Sequence, residues 1–138
     1  MIINETNKQV IIFTFENTIN DDNFNLLLKR WLSYYSNHNY VSFIFDTRNI
    51  TEIPSLKYCF QIAAFIHKLK KMPVKYLRKS LIIVNDSKIE TLIDFILNIQ
   101  TPISDVYIYN SDIQTDLISL FDKFKKNEII NYRLIKCN

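Results

Sequence analysis

Apolar residues recur along this chain in two periods that alternate: short dense runs, and steps of three to four residues. Residues 9–16 read QVIIFTFE, a nearly continuous apolar run that predicts a strand buried on both faces. Met1, Ile2 and Ile3 suggest a short leading strand, with a turn over 5–8. After a loop at 17–21, Asp21 or Asp22 is placed to cap a helix running to about Ser36. Its apolar stripe is Phe24, Leu27, Leu28, Trp31, Leu32 and Tyr35. Residues 41–46, VSFIFD, predict a second dense strand. Residues 56–72 predict a second helix, with Leu56, Cys59, Phe60, Ala63 and Ile66 on one face. The pattern then repeats. A strand over 80–84 leads through a turn to a helix over 88–99, which Ser87 caps and which faces inward through Ile89, Leu92, Ile93, Ile96 and Leu97. Pro102 stops that helix. A strand over 106–109, VYIY, leads to a last helix reaching about Lys126, capped by Ser111 or Asp112 and buried through Ile113, Leu117, Leu120, Phe121 and Phe124. The tail from 127 either adds a short strand or packs loosely.

Strands that alternate with helices of ten or more residues need crossover connections, and these favour a parallel sheet. The expected fold is therefore α/β: one mixed, mostly parallel sheet of four or five strands, with about four helices packed on it. The strands over 10–15, 42–45, 81–84 and 106–109 should be parallel. A length of 138 residues with 48% apolar and 14% aromatic residues suits a single domain with an ample core. The net charge of +3 is too mild to indicate nucleic acid.

Glycine is absent altogether. Glycine-rich phosphate loops, dinucleotide fingerprints and nucleophile elbows all need it for tight turns or close backbone approach, so their usual forms are excluded. Asparagine must then take the left-handed turn positions, with Asn17, Asn20, Asn37, Asn39, Asn85 and Asn110 the candidates. The two cysteines, Cys59 and Cys137, are expected as unpaired thiols in a reducing compartment. Asn4, Glu5 and Asn7 interrupt any leader-like start, and no apolar run approaches the roughly 20 residues that span a bilayer. A cytoplasmic protein is expected.

The stretch from 41 to 72 organises the rest. A strand feeding a helix through a short polar loop puts that loop at the strand's carboxyl end, where α/β proteins usually meet ligands and partners. Pro54 suits a first helical turn there, and Ser55 offers a capping hydroxyl. Within this stretch, FIFDTRNITEIPSLKYCFQIAAFI resembles the central segment of STAS domains, the group that includes the bacterial anti-sigma-factor antagonists. Asp46 matches the aspartate that follows the family's strand. Ile50, Thr51 and Ile53 match its Val-Thr-x-Ile piece. Pro54, Ser55, Leu56 and Lys57 fall where Asp-Ser-Ser-Gly is expected, and of these only Ser55 fits. The order of elements agrees over roughly residues 1–125. The resemblance implies a STAS-like fold and a non-catalytic regulatory or scaffolding role, exerted on a protein partner such as a kinase-like anti-sigma factor or a multiprotein assembly. The surface it points to is formed by Thr47, Asn49, Thr51, Glu52, Ser55, Lys57 and Tyr58. Ser55 is the one phosphoacceptor that matches. Leu56, at the second serine, cannot carry phosphate, so partner binding is expected to be constitutive.

His38 and His67 stand apart, and no spacing of His, Cys, Asp or Glu supplies the three or four convergent ligands of a metal site. Cys59 and His67 are roughly 12 Å apart along one helix, too far to act as a nucleophile pair. Asp46, Glu52 and Asp86 lie near strand ends, where carboxylates more often bind lysine or cap turns than do acid–base work. No nucleophile, base and orienting group occur together, so no enzyme and no cofactor are expected. Lys68, Lys70, Lys71, Lys75, Arg78 and Lys79 form a run without acids. This run, or the helix start at Ser55, supports the alternative of a module for a phosphate-bearing ligand, a nucleotide or lipid. A solvated face is the default for such a run, since cations near a helix C-terminus complement its dipole.

Overall fold

The computed structural model describes residues 1–111, 116–128 and 131–137. Four strands run parallel as the crossovers require: β2 (Val10–Asn17), β3 (Val41–Ile50), β4 (Leu77–Val84) and β5 (Asp105–Asn110). An antiparallel strand closes each edge. β1 (Ile2–Asn4) pairs with β2, setting Ile3 against Phe13, and β6 (Tyr132–Ile135) pairs with β5, setting Leu134 against Tyr107. Among the described residues the single sheet therefore has six strands rather than four or five, because a strand near each end of the chain joins it. Its spatial order is the chain order, β1-β2-β3-β4-β5-β6.

That order has a consequence for function. Ligand crevices of open α/β sheets form where the strand order reverses. Here it never reverses, and the helices divide accordingly. Helix α1 (Asp21–Ser36) sets Leu27, Trp31 and Tyr35 against Phe13 and Phe43, and α2 (Leu56–Lys70) brings Ile66 and Leu69 to the same cluster. Helix α3 (Ser87–Ile99) packs Ile89 and Ile93 against Val84, Val106 and Ile108. The other face belongs to α4 (Leu117–Lys125), whose Leu120 and Phe124 cover Val10, Ile12, Ile44, Leu81 and Ile83. The dense apolar runs of β2, β3 and β4 are thus buried on both faces, as their composition predicts.

Two register shifts interrupt the parallel ladders. Between Thr14 and Glu16 of β2, strand β3 advances from Asp46 to Asn49, one residue more than its partner. Between Val41 and Phe43 of β3, strand β4 advances from Leu77 to Ser80. Such bulges change which face later side chains address. They explain how Thr47 and Ile50, three apart, line the same interlayer space, as do Leu77 and Ser80.

Several local expectations change. Asn20, not Asp21 or Asp22, caps α1: its backbone is extended, its side chain accepts from Asn23 N–H, and the Asn23 side chain accepts from Asn20 N–H, a reciprocal capping box. Asp86 takes the α3 cap from Ser87, and Asp116 caps α4, whereas Ser111 is buried at the end of β5, donating to the Val84 carbonyl. Asp112 and Ile113 lie outside the described residues. Of the asparagines named for left-handed turns only Asn17 adopts one. Asn127, Asn131 and His38 take the others among the described residues, His38 because Asn37 stays right-handed as the α1 C-cap. Leu32 is exposed because it lies beyond the edge of the Phe24–Leu27–Trp31–Tyr35 stripe.

Candidate functional site

Strand β3 does not stop at Asp46. It continues through Thr47, Arg48 and Asn49 to Ile50, four polar residues in a central strand. A buried ion pair makes this tolerable. Arg48 donates from Nε to Asp46 Oδ1 at 2.9 Å and from its second terminal nitrogen to Oδ2 at 3.0 Å, and both side chains are 5% exposed. Thr47 is buried and donates to the Ile83 carbonyl at 2.7 Å, satisfying its hydroxyl within the sheet. Thr47 and the half-buried Asn49 are therefore strand residues rather than loop residues, and the burial of Thr47 removes it from an outer surface.

The loop proper starts at Thr51. Thr51 and Glu52 both donate backbone N–H groups to the Asn17 carbonyl, tying the loop to the end of β2. Pro54 precedes the helix rather than entering it. Ser55 is the N-cap, extended at φ −63° and ψ 144°, and its hydroxyl accepts from Lys57 N–H. Asp21 then joins the starts of α1 and α2. Its Oδ1 accepts from Tyr58 OH at 2.8 Å and pairs with Lys57 Nζ at 3.0 Å. The Lys57 hydrogen bond, helped by that from Tyr58 and by the Lys57 charge, holds the Asp21 carboxyl below its usual value, and the same contact raises Lys57. Tyr58 is itself buried against Phe24, so it anchors α2 and does not belong to an outer surface, a second correction.

What does face outward at this site was not expected. Leu56 and Phe60 are each 54% exposed. The helix buries the opposite arc, through Tyr58, Cys59, Ala63, Ile66 and Leu69. Leu56 and Phe60 were assigned to the core on their spacing with Cys59 and Ala63, but α2 is apolar nearly all round, so spacing alone does not choose an arc. The cations do: Lys57, Lys68 and Lys71 share the outward arc with Leu56 and Phe60, and charged groups stay in water. The phenyl ring of Phe60 meets exposed Phe95 of α3 edge to face at 5.6 Å, and Ile53 and Ile99 add exposed apolar area.

The run of cations does not form one patch. Lys68 and Lys71 are exposed at the α2 end, while Lys70 is tied to Thr101 and Lys75 donates to the Met72 carbonyl. Arg78 lies over the Tyr40 ring at 4.6 Å. Lys79 is held under α4 by the Phe124 carbonyl at 2.8 Å and the Phe124 ring, and partial burial lowers its pKa. The remaining candidates have structural partners. His38 meets Tyr76 OH at 2.8 Å and His67 meets Gln100 at 3.1 Å. Asp46 pairs with Arg48, Asp86 caps α3, and Glu52 is exposed beside Asn17. Both cysteines are free, Cys59 buried and Cys137 exposed. Among the described residues no three His, Cys, Asp or Glu side chains converge as a metal site, and no helix is long and apolar enough to cross a membrane. No protein-family model, curated protein or solved structure matches the chain.

Proposed function

We propose that this protein is a non-catalytic regulatory or scaffolding domain, STAS-like in its design, that binds a protein partner through the outward face of α2. The observation that carries this reading is the pair Leu56 and Phe60, one turn apart and each 54% exposed beside the loop that follows the central strand. Phe60 meets exposed Phe95 edge to face, exposed Ile99 stands one turn further along α3, and exposed apolar patches mark interaction sites. The chemistry of the partner follows from the charge around them. Helix α2 carries no acidic residue, and Lys68 and Lys71 continue its outward arc with no ion pair among the described residues. The fitting partner is a protein segment with an apolar face, entering between Leu56, Phe60 and Phe95, and acidic residues toward the α2 C-terminus. Thr51, Glu52, Ser55 and Lys57 rim this surface. The reading places the protein in the cytoplasm, where the free cysteines stay reduced.

Photo-crosslinking in the native cell tests it. A benzophenone amino acid at exposed Gln61 should capture a different protein through an apolar segment rich in Asp and Glu. The adduct should vanish in a Leu56→Asp, Phe60→Asp variant that still folds. An adduct with a second copy of this chain, with lipid or with nucleic acid, or one that survives the double substitution, would refute the proposal.

A further inference from the structure

Between the sheet and helices α1, α2 and α3 lies a cavity of about 190 Å³. It is lined by Phe15 and Phe45 from the sheet, Trp31 from α1, Ile62 from α2 and Ile93 and Ile96 from α3, and among the described residues no charged side chain lines it. Protein interiors pack as densely as organic crystals, and voids larger than a water molecule are few. An engineered apolar cavity of about 150 Å³ in another protein stays dry and takes up benzene. This one is larger, and the register shifts in β3 and β4 aim Thr47, Ile50, Leu77 and Ser80 at it. Bulges in natural sheets gather next to functional sites.

Two polar groups of lining residues stand out. Ser104, in the loop before β5, is 7% exposed, and its Oγ, like the indole N–H of Trp31, has no hydrogen-bond partner among the described residues. A buried hydroxyl without a partner is costly, so nearly all such groups are satisfied. Thr47 also lines the cavity, but its hydroxyl is already engaged by the Ile83 carbonyl. The lining therefore offers an apolar volume of about one ring with unpartnered polar groups at Ser104, which can donate or accept, and at Trp31, which can only donate. A charged ligand would enter without a counter-charge, at a heavy desolvation penalty.

We propose that this cavity is a binding site for an uncharged, largely apolar small molecule, a single ring or short chain carrying one hydroxyl or carbonyl group that bonds to Ser104. The site is separate from the outward face of α2, because α2 turns Cys59, Ile62 and Ile66 to the cavity and Leu56 and Phe60 to water.

Methyl NMR of the isoleucine-labelled protein, titrated with benzyl alcohol, toluene and benzoate, tests this. Saturable shifts are expected at Ile62, Ile93 and Ile96 with both neutral probes, and benzoate should bind at least about tenfold more weakly, since it would lose a charge's hydration. Ser104→Ala should weaken benzyl alcohol by about three- to tenfold, the size of one hydrogen bond, and leave toluene within about twofold. Cys59→Leu, which takes up part of the cavity from α2, should weaken the binding of both. Neutral probes that produce no saturable shift at these methyls would overturn the proposal. Benzoate binding as well as benzyl alcohol would overturn the neutral-ligand assignment. Equal loss of both neutral probes in Ser104→Ala would remove Ser104 as the anchor.

Discussion

Asp21 meets Lys57 and Tyr58 through one carboxylate oxygen, and the contact fastens the N-terminus of α1 to that of α2. Because its folded pKa is depressed, the stability Asp21 contributes is complete above its unfolded value, near 3.9, and is lost as pH falls through the lower folded value. Lys57 behaves oppositely: its pKa is raised, so its contribution is complete below about 10.4 and lost as pH rises through the higher folded value. Urea denaturation of the wild type and Asp21→Asn should therefore show a gap that is flat from pH 5 to 9 and closes in acid. A gap that does not narrow as the pH falls to 3 and below would show that it does not arise from the ionised Asp21 carboxylate. The Asp46–Arg48 pair differs in kind, because both side chains are buried. Removing one partner of a buried pair strands the other charge, so Arg48→Met should cost about 3–5 kcal/mol in the same assay. A loss under about 1 kcal/mol would mean that water reaches Asp46.

At the scale of elements, apolar periodicity predicted every parallel strand and all four helices, but not their ends. Thr47, Arg48 and Asn49 read as a loop because with Asp46 they make four polar residues in succession, which strands rarely carry. They belong to β3 because Asp46 and Arg48 neutralise each other and Thr47 bonds to the Ile83 carbonyl, pairings that only the fold brings about. The outward face of α2 was legible in principle, since Lys57, Lys68 and Lys71 mark its solvent arc. The cavity was not, because it depends on two register shifts and on the spacing of three helices. The capping role of Ser55 was legible, and it bears on the phosphorylation switch that the STAS resemblance suggests. Ser55→Ala should lose about 1 kcal/mol of stability, whereas Ser55→Asp should lose little, since aspartate caps as well as serine. If phosphate at Ser55 regulates the domain, its effect then falls on the partner surface, not on the fold. A Ser55→Asp variant as unstable as Ser55→Ala would contradict this separation.

For the whole molecule, the sequential strand order sets a gradient of protection from the centre of the sheet outward. Phe43, Ile44, Leu81 and Ile83 are fully buried, on strands paired on both sides and covered by helices on both faces. Their amides are released only when the sheet itself opens. The edges are different. β1 is three residues long with Ile2 exposed, and β6 presents Tyr132 and Leu134 to solvent. Each edge strand is bonded on one side only, and few apolar contacts hold it, the conditions under which segments open locally at little free-energy cost. Native-state hydrogen exchange should therefore rank the amides of Phe43, Ile44, Leu81 and Ile83 as slowest, exchanging through global unfolding. Ile3 and Leu134 should exchange faster, by sub-global openings that depend only weakly on denaturant. If Ile3 or Leu134 proved as protected as Ile44, the six strands would open as one cooperative unit, and the antiparallel edges would have to be counted as part of the core rather than as additions to a four-stranded parallel centre.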